Sequence, residues 1–136
     1  MFPFGFFRRL VLLYNKSVML PKKKIEGLVS DVKKIVREFA KILKENRIAF
    51  KRIYLFGSHA VGKAGADSDI DVAVVVSHLP MGKGYLDKKM RLWELAPKAD
   101  GRIEPILLEE CEVDDPHDLS IMGDEVRKHG ILVVSS

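Results

Sequence analysis

Leu55-Phe-Gly-Ser-His-Ala-Val-Gly-Lys-Ala-Gly-Ala-Asp-Ser-Asp-Ile-Asp-Val-Ala-Val-Val-Val76 is the stretch on which the reading of this chain turns. Its last five residues, Val72 to Val76, are apolar at every position. That pattern predicts a strand covered on both faces in the middle of a sheet. The strand is expected over Asp69–Val76, with Asp69 and Asp71 at its head. Residues two apart on a strand share a face, so their carboxylates stand side by side. Two such groups repel unless a cation lies between them. A hard divalent ion with oxygen ligands, magnesium above all, suits that pair. The competing reading of Asp-x-Asp alone is a solvated acidic turn, since Asp and Ser are common ahead of strands.

The upstream half of the stretch weighs against the solvated turn. Arg52 to Phe56 reads as a strand that breaks at Gly57-Ser58, followed by a short helical turn over Ser58–Lys63. A strand that ends in glycine and opens a helix aims backbone N–H groups outward, where phosphate binds. Gly57 lets a phosphate approach the backbone, and the Ser58 hydroxyl, Lys63 and Ser68 are the further candidate phosphate contacts. An anion cradle beside an Asp-x-Asp pair is what a magnesium-bound triphosphate requires. A P-loop is the rival, because Gly57-x-x-x-x-Gly62-Lys63 matches most of its pattern. It fails at Ala64, where a P-loop needs a hydroxyl for magnesium, and at Gly65-Ala66-Asp67, which cannot open a long helix.

Working outward, Ile25, Leu28, Val29, Val32, Ile35, Val36, Phe39, Ile42 and Leu43 recur at steps of three and four. They predict an amphipathic helix over Lys23–Asn46. Its opposite face carries Lys33, Lys34, Arg37, Lys41 and Lys44, expected to be solvated, with RNA contact as the competing reading. Downstream, a helix is expected over Leu86–Leu95 and a strand over Arg102–Leu108. A helix over Asp118–Lys128 and a short strand over Ile131–Val134 close the chain. Strands alternating with helices predict a layered sheet-and-helix domain.

The 136 residues are enough for one domain with a real core. No apolar run is long enough to span a bilayer. The single cysteine, Cys111, precludes an internal disulfide and suits a cytoplasmic setting. A net charge of +4 leans toward polyanionic partners without selecting one. Residues 1–22, with Phe2, Phe4, Phe6 and Phe7, stand apart as an apolar amino-terminal extension to a domain over 23–136. The readings of that extension are an upstream start ahead of Met19, an added helix, or a segment that docks on a partner.

Gly57-Ser58, ten intervening residues, Asp69-x-Asp71 and an apolar strand resemble the pattern of the DNA polymerase beta-type nucleotidyltransferase superfamily. Within it the chain resembles the minimal nucleotidyltransferases, small proteins often encoded beside a helical HEPN partner. The resemblance runs from about Ile25 to Val134 and implies an α+β fold, a small central mixed sheet flanked by helices. It also implies a third carboxylate from a neighbouring strand. Glu104 is the preferred position, ahead of Glu94, Glu109 and Glu110, and Pro105 suits a strand near an edge. The chemistry implied is two magnesium ions about 3.5–4 Å apart held by Asp69, Asp71 and Glu104. A nucleoside monophosphate, AMP from ATP in the simplest case, would pass to a hydroxyl on a partner protein. The implied partner is a HEPN toxin, silenced by this chain as antitoxin in a homo- or hetero-oligomer; no membrane or nucleic acid is expected. The competing function is an antitoxin or regulatory subunit that acts by contact alone. One departure stands out: His59, Val61 and Gly65 occupy turn positions where many relatives carry arginine.

Overall fold

The all-apolar run forms β2 (Ile70–Val76), and every one of its residues is buried. In the computed structural model, which describes residues 22–62, 64–65 and 68–136, β2 lies inside a four-stranded sheet. β1 (Arg52–Phe56) pairs with it antiparallel and β3 (Ile103–Glu109) pairs with it parallel. β4 (Ile131–Ser135) pairs antiparallel with β1, so the order across the sheet is β3-β2-β1-β4. The sheet is therefore mixed, as expected. Parallel neighbours need a crossover, and the chain between β2 and β3 supplies it as a helix, α2 (Lys83–Ala99). The amino-terminal extension through residue 21 and Lys63 lie outside the described residues.

The amphipathic stretch forms α1 (Lys22–Glu45), and its stripe of Val32, Val36, Phe39, Ala40 and Leu43 is buried. That stripe packs on one face of the sheet, against Ile53, Leu55, Val72 and Val74, where Leu92, Leu95 and Ala96 of α2 join it. Each large side chain so buried contributes roughly 1.5–3 kcal/mol. α1 ends by reversing direction. The Ile48 N–H donates to the Leu43 carbonyl at 2.9 Å, and the Arg47 N–H donates to the Lys44 carbonyl at 3.0 Å. This pair of bonds is a Schellman motif, which puts Arg47 in the left-handed region at φ 59° where glycine is usual.

Among the described residues, the opposite face of the sheet is covered by two short helices. α3 (Glu110–Asp114) and α4 (Ile121–His129) bring Val113, Met122 and Val126 onto Phe56, Ala73, Val75 and Leu108. Several element boundaries differ from the periodicity reading, and α2 runs from Lys83 to Ala99 where a helix over Leu86–Leu95 was expected. α4 starts at Ile121 rather than Asp118 because the Ser120 hydroxyl accepts the Gly123 N–H at 3.0 Å and so caps the helix there. α3 was not foreseen; the Glu112 carboxylate accepts the Glu109 N–H at 2.6 Å, a local bond that turns the chain as β3 ends. Among the described residues no helix is long and apolar enough to cross a membrane.

Candidate active site

The sheet register assembles the site. Asp71 lies across from Phe56 of β1 on one side and across from Glu104 of β3 on the other. Registered neighbours on adjacent strands, roughly 4.8 Å apart, project side chains to the same face. The apolar residues confirm the parity, since Ala73 and Val75 share a cluster with Phe56, Leu108 and Ile106. Asp71 and Glu104 therefore stand together on the face of the sheet that carries α3 and α4. Asp71 is buried, and one Glu104 carboxylate oxygen is closed off from solvent. Asp69 sits one residue before β2 and is half-exposed. The strand start behind it is pinned by the Ile70 N–H, which donates to the Arg102 carbonyl at 2.8 Å.

Gly57 closes the site from the β1 side. It has φ 72°, and a methyl group there would strike the Asp71 carboxylate and lie 3.1 Å from its Cγ. Only glycine lets the turn come this close to Asp71. The helical turn predicted over Ser58–Lys63 is shorter than expected, a single 3-10 turn over Gly57–His59. A turn of that length carries little macrodipole, so the donors the turn itself offers are its backbone N–H groups and the Ser58 hydroxyl. Ser68, half-buried, uses its hydroxyl to accept the Gly65 N–H at 3.0 Å. That bond braces the loop leading into Asp69.

His59, at a turn position where many relatives carry arginine, is buried and bonded. It is 3% exposed, and its Nε2 lies 3.1 Å from the Ser68 carbonyl oxygen. A carbonyl only accepts, so Nε2 carries the proton. The ring thus ties the Gly57-Ser58 turn to the residue before Asp69. Burial lowers its pKa, Arg102 lowers it further, and the Ser68 bond and Asp100 oppose them. Arg102 was also missed. Its Nε and Nη2 grip the two oxygens of Asp100 at 3.1 and 3.0 Å, which holds Asp100 below the usual carboxylate range. Arg102 lies in the turn two residues before Glu104, so the Arg102-x-Glu104 spacing was the available signal.

The rival carboxylates have other tasks. Glu109 accepts the Leu79 N–H at 2.8 Å, the main cause of its lowered pKa. Glu94 pairs with Arg91 on α2, and Glu110 begins α3 beyond the strand. His78, His117 and His129 are exposed. Among the described residues no three His, Cys, Asp or Glu side chains stand close enough to hold a metal ion unaided. Magnesium binds through one or two carboxylates completed by water and substrate phosphates, so the registered Asp71–Glu104 pair, with Asp69 beside it, has the donor chemistry for a hard cation brought with a triphosphate.

Comparison with known proteins agrees with this architecture. Over residues 36–115 the chain matches the model of the nucleotidyltransferase domain. No curated protein matches it. A candidate nucleotidyltransferase of Sulfolobus solfataricus is similar in structure, with a TM-score of 0.54 and 20% identity over 85% of this chain and 90% of that one. A toxin–antitoxin complex with AMP-PNP is similar at a TM-score of 0.52 and 23% identity, covering 74% of this chain and 73% of that one. The tri-AMPylated Shewanella oneidensis HEPN toxin in complex with MNT antitoxin is similar at 0.50 and 20% identity, covering 77% and 73%. At these identities the structures speak for the fold. The domain match spans more than half of the sequence, and the chain belongs to the nucleotidyltransferase domain family.

Proposed function

We propose that this chain is a magnesium-dependent minimal nucleotidyltransferase, formed by residues 23–136, that transfers AMP from ATP to a hydroxyl side chain of a HEPN-type partner in the cytoplasm and thereby acts as its antitoxin. The observation that carries the reading is the placement of Asp71 between the Gly57 turn and Glu104. Asp69, Asp71 and Glu104 would hold the metal, which supplies neutralising charge to the triphosphate and acidity to the attacking hydroxyl. The Gly57 and Ser58 N–H groups and the Ser58 hydroxyl receive phosphate oxygens. Glu104, at the head of β3, would take the acceptor's proton. The acceptor oxygen bonds to the α-phosphorus, the bond from that phosphorus to the bridging oxygen breaks, and pyrophosphate leaves. Positioning in a site closed by His59 and the β2 register provides much of the rate. The similarity to a HEPN toxin in complex with MNT antitoxin, and to a toxin–antitoxin complex with AMP-PNP, supports the partner assignment.

The test is incubation of the protein with α-labelled ATP, magnesium and a co-encoded HEPN-domain protein. Labelling of the partner should fall by on the order of 10²–10³ or more in Asp69→Asn/Asp71→Asn. Equal labelling by wild type and variant refutes the mechanism. A contact-only regulatory subunit is the second reading, favoured by His59 and Val61 standing where many relatives carry turn arginines. Full neutralisation of the partner by the carboxylate variant would establish it.

A further inference from the structure

A groove of about 330 Å³ runs along the open edge of the sheet. Its floor is β3 itself, from Pro105 to Leu108. One wall is α2, with Tyr85 and Trp93, and the other is the approach to α4, with Leu119 and Ile121. These walls expose large apolar side chains, with Lys89 and Ser120 set among them: Trp93 is 42% exposed, Ile121 65% and Leu119 96%. Among the described residues no strand pairs with β3 on this side.

The floor is polar in a particular way. In a parallel ladder each residue turns its N–H and C=O to one side, alternating along the strand. The Arg102 carbonyl accepts from Ile70 of β2, so Arg102, Glu104 and Ile106 face inward to β2. Pro105 and Leu107 therefore turn outward, presenting the Pro105 carbonyl and both backbone groups of Leu107 to the groove. Proline's missing donor costs no internal bond at that position. Outward strand groups between two walls of exposed apolar side chains fit an extended chain, which pairs with the edge and drops alternate side chains against each wall. A helix cannot satisfy them, since its own backbone groups are used internally.

We infer that the β3 edge is the acceptor-binding groove, which takes an extended hydroxyl-bearing segment of a partner polypeptide by strand addition. The groove begins at Pro105, one residue from Glu104, so a strand laid on this edge brings a side chain at its end to the carboxylates. This rests on the transferase reading above for the word acceptor, and on the edge geometry alone for the binding of a strand.

The experiment separates the two. The probe is a synthetic nonapeptide of valine and serine with a tyrosine at each end and a lysine at its centre. Hydrogen exchange at the Leu107 amide reads binding, and transfer of label from ATP reads chemistry. The peptide should slow Leu107 exchange in wild type and in Asp71→Asn alike. Leu119→Asp/Ile121→Asp, both at exposed positions, should abolish that protection while leaving the affinity for a fluorescent ATP analogue with magnesium unchanged. Where peptide labelling occurs, the same variant should lower kcat/KM at least ten-fold through KM. Protection without labelling sustains the groove and counts against the transferase reading only. Absence of Leu107 protection at saturating peptide overturns the groove, as does labelling that the groove variant leaves intact. Protection that grows with protein concentration alone also overturns it, because a second copy then occupies the edge.

Discussion

Replacing Gly57 with alanine tests the closest contact in the site. The residue has φ 72°, and an L side chain in the left-handed region costs roughly 1–2 kcal/mol. The added methyl would strike the Asp71 carboxylate and stand 3.1 Å from its Cγ and 3.3 Å from its Cβ. Asp71 is buried on a central strand and cannot swing clear, so overpacking adds roughly 1–3 kcal/mol. Reduced freedom of the unfolded chain returns roughly 0.4–1 kcal/mol. The net loss is about 1–4.6 kcal/mol, and near the middle of that range the fall in Tm is roughly 10 °C for a chain of this size. Urea denaturation with the m-value checked measures it. Affinity for a magnesium–ATP analogue, measured in parallel, should fall at least ten-fold because the displaced carboxylate belongs to the site. Gly27→Ala is the control: a Cβ there meets nothing within 4 Å on α1, so stability should rise by roughly 0.5–1 kcal/mol. A Gly57→Ala protein with the wild-type midpoint would refute the close approach. One that loses stability but keeps its nucleotide affinity would refute the placement of Asp71 in the site.

Three further outcomes follow from the same geometry. His59 has its pKa lowered in the fold by burial, with Arg102 adding to the effect and the Ser68 bond and Asp100 opposing it. The folded chain then binds fewer protons there than the unfolded chain. Its contribution is complete above the ordinary value of 6.5 and is lost as pH falls through the lower folded value, so His59→Gln should flatten the decline of urea midpoints below pH 6.5; an unchanged slope contradicts this. Phe39→Ala removes the largest fully buried side chain joining α1 to the sheet and should cost roughly 3–5 kcal/mol. Arg47→Gly relieves a left-handed residue at the end of α1 and should raise stability by up to about 1 kcal/mol, read from the same denaturation curves.

Local pattern carried much of the architecture. The steps of three and four in α1 and the unbroken apolar run of β2 are properties of neighbouring residues, and both elements form where those patterns lie. β1 spans the expected residues, Arg52–Phe56. Where the reading fell short, a specific bond decided: the Ser120 cap moved the start of α4, and the Glu112 carboxylate created α3. Glu104 was reached by resemblance and strand position. The bonds of its rivals, Glu109 to Leu79 and Glu94 to Arg91, are spatial facts that no spacing records.

The sequence by itself determined that a buried strand begins at an Asp-x-Asp pair and follows a strand that ends in Gly-Ser, because side-chain alternation and glycine's backbone freedom are local. Tertiary structure alone decided what stands beside that pair. Strand order and register put Glu104 opposite Asp71, turn His59 from a surface residue into a buried tie to Ser68, and leave the β3 edge without a neighbouring strand among the described residues. The physical reason is that pairing between distant strands depends on how whole faces bury their apolar area, a sum over the chain that no single stretch contains.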